Sequence, residues 1–166
     1  MDLKDSLLYQ DLSENYKRIV DICAEYLQNL WSEHRLITYY TDHGYMHSLR
    51  VLGRIEELLS FRHDGANGNQ LNNDEKFLLI LSVIFHDIGM QCDLSKNTSI
   101  VNIAKNVYSA DFRSEFKGRY TEDNMKEQRK YHHLVSAAWL LYARQHDGSL
   151  KQATVRISDA QISCIR

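Results

Sequence analysis

The stretch FLLILSVIFHDIGM, Phe77 to Met90, decides how this chain is read. Nearly unbroken apolar residues run straight into His86 and Asp87, and Asn73 or Asp74 just ahead of them suits the cap of a helix. A helix with so little polar surface belongs in the interior, so it carries an ionisable pair inward at its end. Desolvating such a pair is costly unless something compensates it, and a bound metal ion is a common compensator. Taken alone, the dipeptide favours a blander account, because a histidine at a helix end is usually a capping or hydrogen-bonded residue. Two features add weight to the metal reading. Other histidines stand at the ends or faces of other expected helices, and Gly89 lets the chain turn sharply just after the pair.

Upstream, Tyr16, Ile19, Val20, Cys23, Tyr26, Leu27, Leu30 and Trp31 recur at spacings of three and four, one face of an amphipathic helix capped by Ser13 and reaching about Leu36. Thr41, Asp42 and Gly44 break that pattern. A second helix then carries Met46, Leu49, Leu52, Ile55, Leu58 and Leu59, with His43 and His47 at its start. The polar segment from His63 to Asp74 reads as an exposed loop. Downstream, Ile100, Ile103, Ala104 and Val107 form a weaker helical pattern, and Ser109 to Tyr120 reads as a loop or short turns. From Thr121 the chain opens with acidic residues and then shows an apolar face of Leu134, Ala137, Ala138 and Leu141, with His132 and His133 inside the helix. HDGSLK reads as a turn, and ISDAQISCIR as the start of a last helix.

Composition agrees with this plan. No proline and only seven glycines among 166 residues go with long helices, so the fold class is all-α. A chain of this length forms one domain, residues 1–166, with a real core. Twenty basic against 22 acidic residues give a net charge of -2, which indicates neither a nucleic-acid partner nor attraction to an anionic membrane. The apolar run Phe77 to Phe85 is far shorter than the about 20 residues that span a bilayer, and MDLKDSLLYQ lacks the apolar stretch of a signal peptide, so a cytoplasmic protein is expected. Cys23, Cys92 and Cys164 are widely spaced and form no CxxC pair, so they read as reduced thiols.

His43 and His47, four apart, project from one face of a continuous helix. The spacing is that of the zinc-protease HExxH, but Gly44 stands where the general-base glutamate is required, so the protease reading fails. In order, the strings HGYMHSLRV (His43 to Val51), FHDIGM (Phe85 to Met90) and RKYHHLVSA (Arg129 to Ala137) resemble the HD-domain superfamily of metal-dependent phosphohydrolases, over roughly residues 40–166. The resemblance implies an HD-domain-like helical bundle holding one or two divalent ions. It also implies cleavage of a phosphoester in a nucleotide, cyclic nucleotide or similar small phosphorylated substrate, through a metal-activated water. By the same resemblance His47, His86 and Asp87 are metal ligands. His132, preferred over His133 because Arg129, His132 and Ser136 match the next family motif, is the further ligand. His43 is similar in position to the histidine that protonates the leaving oxygen in cyclic nucleotide phosphodiesterases, with Gly44 in place of their asparagine.

Mixed imidazole and carboxylate ligands suit manganese, iron, nickel, zinc or magnesium and do not select among them. Arg50 and Lys130 are candidates for phosphate oxygens, although exposed cations on a helix are usually only solvated. The family completes its site with an aspartate on a late helix. Asp159 is the late candidate here and suits an N-cap equally well, so the chain is expected to stop just before the missing ligands, as the N-terminal part of a longer protein. That departure motivates a second expectation. A catalytically incomplete HD domain would act as a regulatory or interaction module of a larger signalling, stress or defence protein, beside a downstream domain.

Overall fold

The computed structural model describes residues 2–33, 43–61, 71–91, 93–118, 120–148 and 151. After a 3-10 turn at Leu3–Asp5 come α1 (Leu7–Gln10), α2 (Glu14–Glu33), α3 (Tyr45–Phe61), α4 (Asn73–Phe85), α5 (Ile88–Gln91), α6 (Thr98–Asn106) and α7 (Glu122–His146). The fold is all-α, with no strand among the described residues.

Helix α4 is the centre of the bundle because it is apolar nearly all round. Phe77, Ile80, Leu81, Val83, Ile84 and Phe85 are all buried, more than a single face can supply. Its cap is Asn72, rather than Asn73 or Asp74. Asn72 is extended, its side chain accepts the Glu75 N–H (2.9 Å), and the Glu75 carboxylate accepts the Asn72 N–H (2.8 Å). The reciprocal pair needs an acid three residues after the cap, and only Asn72 has one there. Asn73 and Asp74 are thereby left to face α2, where Asn73 accepts the Ser13 N–H (3.1 Å) and Asp74 accepts the Tyr16 hydroxyl (2.5 Å). Tyr16 also stacks on Phe77 with ring centroids 4.2 Å apart.

The N-terminal residues, for which the sequence pattern gives no element, are tied to α3 by one carboxylate. Glu56 accepts the Ser6 hydroxyl (2.5 Å) and the Leu8 N–H (2.9 Å). On α3 itself Leu49 and Leu52 are buried, whereas Met46 and Leu58 are exposed, so the buried face is narrower than the run of apolar residues implied. Helix α7 is capped by Thr121, whose hydroxyl accepts the Asn124 N–H while the Asn124 side chain accepts the Thr121 N–H. It lies against α5 and α6, and Trp139 Nε1 donates to Tyr26 Oη (2.8 Å), joining it to α2.

The segment between α6 and α7 is less polar in effect than in composition. Phe112 and Phe116 are buried, edge-to-face at 5.0 Å, and Phe112 meets Tyr131 of α7 at 5.2 Å. Glu127 accepts the backbone N–H groups of Arg113 and Ser114, both at 2.8 Å. Among the described residues no helix is long and apolar enough to cross a membrane. Cys23 is fully buried as a free thiol, and burial pushes its pKa up to about 12. Cys92, Cys164, Asp159 and the last expected helix lie outside the described residues.

Candidate metal centre

Three segments far apart in sequence meet where α4 ends. His86 is the C-cap of α4, and Asp87 follows it in the turn to α5. His43 precedes α3 and His47 lies in its first turn; His132 projects from the middle of α7. The centre of the arrangement is the Asp87 carboxylate, only 4% exposed. Its Oδ2 accepts the Nδ1–H of His43 (2.9 Å) and the Nε2–H of His86 (2.9 Å), and His47 Nε2 stands 3.4 Å away. From the other side, His132 Nε2 stands 3.6 Å from Oδ1.

Two of these imidazoles are aimed by the same local device. His86 Nδ1 donates to the carbonyl of Val83 (2.6 Å), and His132 Nδ1 donates to the carbonyl of Arg129 (2.7 Å), each three residues earlier. A helical histidine that spends Nδ1 on its own preceding turn presents Nε2 outward, and such bonds commonly orient metal-ligating imidazoles.

The electrostatics follow from these bonds. Burial opposes ionisation of Asp87, but the hydrogen bonds from His86 and His43 outweigh it and bring its pKa down to about 2. Burial likewise opposes charge on His86, yet Asp87 and the Val83 carbonyl outweigh it and its pKa is raised. For His47 burial prevails, helped by the neighbouring His86, His43 and Arg50 and opposed by Asp87, so its pKa is lowered and the neutral form is favoured.

The donor set fits a divalent cation. One ligand atom from each of His43, His47 and Asp87 lies within 4.8 Å of the others, close enough for small side-chain shifts to bring them onto one ion. His86 and His132 reach the same carboxylate, so this side-chain set of imidazoles around one buried acid can bind a metal ion.

Every histidine singled out from the sequence is in the cluster except His133, which is exposed beside it with its ring 5.7 Å from that of His132. Arg50 is exposed, and its charge acts on His47. Lys130 is also exposed and places its ammonium 4.7 Å from the centre of the Tyr131 ring.

Gly89 departs from expectation. It is not the glycine of a sharp turn but lies inside α5, and it is glycine because α7 passes against it. A Cβ there would sit 2.1 Å from the His132 carbonyl oxygen and 2.8 Å from Ser136 N. Among the described residues left-handed backbone is found instead at Ser109 (φ 58) and Gly118 (φ 72). Gln128 gave no signal in sequence, since it stands in a polar run. In the fold it is 2% exposed and donates Nε2–H to the Gly89 carbonyl (2.6 Å). The available clue was spacing, because Gln128, His132 and Ser136 recur every fourth residue along one face of α7.

No match was found among curated proteins or among solved structures. The family model described as HD-CE matches residues 37–161, a span that holds every residue of the cluster. The chain therefore belongs to the HD-CE family and carries an HD-type domain.

Proposed function

We propose that the chain is a metal-dependent phosphohydrolase acting on a nucleotide, a cyclic nucleotide or another small phosphoester. The observation that carries this reading is the approach of four imidazoles to the single buried carboxylate of Asp87. His47, His86, Asp87 and His132 would hold the ion, with manganese, iron, nickel, zinc and magnesium all compatible with such ligands. When bound, a divalent ion supplies an acidified water and polarises a phosphoryl oxygen.

The chain's own groups supply the rest. Asp87 holds the Nδ1–H of His43, which fixes that imidazole's tautomer and leaves Nε2 to carry a proton toward the leaving oxygen. In the balanced reaction the oxygen of water bonds to phosphorus as the bond from phosphorus to the ester oxygen breaks. His43 delivers the proton that this oxygen needs. Arg50, whose charge already bears on His47, would bind a phosphate oxygen at the rim, with Lys130 a second candidate.

One observation favours a different reading. Among the described residues Asp87 is the only carboxylate in the cluster, and it is already hydrogen-bonded by His43 and His86. A domain with such a self-satisfied acid can act as a regulatory module beside a downstream domain, without turnover.

A test separates the two. The chain is loaded with Mn2+ and incubated with bis-p-nitrophenyl phosphate and with nucleotides, beside His43→Ala and Asp87→Ala. Metal-dependent hydrolysis that falls about 10²- to 10⁴-fold in His43→Ala, with metal still bound, supports the enzyme. Full metal binding without turnover on any phosphoester transfers the case to the regulatory module.

A further inference from the structure

Both backbone groups of Gly89 are bonded to side chains of α7 that flank His132 by four residues on either side. The Gly89 carbonyl accepts Gln128 Nε2–H (2.6 Å), and the Gly89 N–H donates to Ser136 Oγ (2.9 Å). Ser136 Oγ in turn donates to the carbonyl of His86 (2.8 Å). Gln128 continues the chain outward, since its Oε1 accepts the Tyr120 hydroxyl at the end of the segment that carries Phe112 and Phe116. Gln128 is 2% and Ser136 6% exposed, so water cannot readily replace these bonds.

A bond pattern of this kind does more than attach one helix to another. Two side chains eight residues apart grip the two peptide groups on either side of the Gly89 Cα, with the His132 carbonyl pressed where Gly89 has no Cβ. Sliding α7 along α5 by one residue would break both bonds and collide the two backbones. The register of His132 against the His86-Asp87 turn is therefore specified by polar bonds as well as by shape.

We propose that Gln128 and Ser136 are positioning residues that hold His132 Nε2 at its distance from Asp87, and that Tyr120 ties this register to the Ser109–Tyr120 segment. The inference rests on the metal reading for its functional consequence, but the clamp itself is a property of the chain alone. It also gives the segment between α6 and α7 a role, since a change in that segment would reach the centre through Tyr120 and Gln128.

The test compares Ser136→Ala and Gln128→Met with Tyr26→Phe, which removes the distant Trp139 bond from the same helix. Tyr120→Phe serves if Gln128→Met does not fold. For each, Mn2+ affinity is titrated, melting temperature recorded and amide hydrogen exchange followed in the metal-free chain. The clamp predicts Mn2+ binding weakened about 10- to 100-fold in Ser136→Ala and Gln128→Met. It predicts a several-fold loss in Tyr120→Phe, and affinity within about twofold of wild type in Tyr26→Phe at a comparable loss of melting temperature. Exchange should rise at least about tenfold at Gly89 and its neighbours His86 to Met90 while α2 and α4 stay protected. Affinity that merely follows melting temperature across all variants, or does not change, overturns the proposal. If the wild-type chain binds no Mn2+, the phosphohydrolase reading fails, and exchange alone decides the clamp. A rise confined to His86 to Met90 sustains it, and a uniform rise or none refutes it.

Discussion

Loading the cluster with a metal competes with the proton on His86 Nε2, which the fold favours. Both ring nitrogens of His86 face acceptors, the Val83 carbonyl and the Asp87 carboxylate, which is why its pKa is raised. Ligation through Nε2 requires that proton to leave, whereas His47, with its lowered pKa, is already neutral. Asp87, with a pKa of about 2, stays ionised and adds no slope near neutrality. Mn2+ affinity should therefore fall as pH is lowered from 8 to 6, approaching about tenfold per unit below the pKa of His86, with proton release on binding. Calorimetric titration in buffers of different ionisation enthalpy measures both. Affinity that is flat in pH, with no proton released, would remove His86 Nε2 from the ligand set.

At this scale the sequence was informative about identity and silent about orientation. His47, His86, Asp87 and His132 stood out because they interrupt or end helical patterns in a fixed order. That Nδ1 of both His86 and His132 is spent on the carbonyl three residues back depends on rotamer, which residue type does not encode. The α4 cap at Asn72 is readable from Glu75 three residues later, but residue type alone does not separate it from Asn73 and Asp74, which are equally good capping types.

Among the elements, α4 was legible from its unbroken apolar run and α7 from its acidic start and the apolar face behind it. What periodicity does not report is which helix lies across which, and Gly89 shows the consequence. A glycine after a buried helix reads as a turn residue. Its actual constraint is a helix more than thirty residues downstream, whose backbone lies within van der Waals distance. Gly89→Ala accordingly forces α7 away from α5, because the atoms it meets are backbone and cannot rotate aside. The expected cost is about 3 kcal/mol, at the upper end for overpacked cores, read by urea denaturation. A variant as stable as wild type would show that α7 does not press on α5 as described. The buried Phe112 and Phe116 were missed for a related reason, since two aromatics in a polar stretch have no period and take their meaning from Tyr131 across the gap.

For the molecule as a whole, the centre is complete only when three segments are brought together, and the bonds that do this are spread over the fold. Glu56 fastens the N-terminal residues to α3, Tyr16 and Phe77 lock α2 on α4, and Trp139 with Tyr26 closes α7 against α2. The order of the motifs made the HD-type fold legible without any of these contacts. Because only the folded chain assembles the ligands, a bound ion stabilises it, by about 2.7 kcal/mol at a hundred times its dissociation constant. The measurement that bears most directly on the account is elemental analysis of the purified chain after Mn2+ loading and desalting, beside Asp87→Ala, with melting temperatures of both. The account predicts close to one equivalent of metal or more and a higher melting temperature in the wild type, with both lost in Asp87→Ala. Equal metal content in the two proteins, or none in the wild type, would contradict a metal centre built on Asp87.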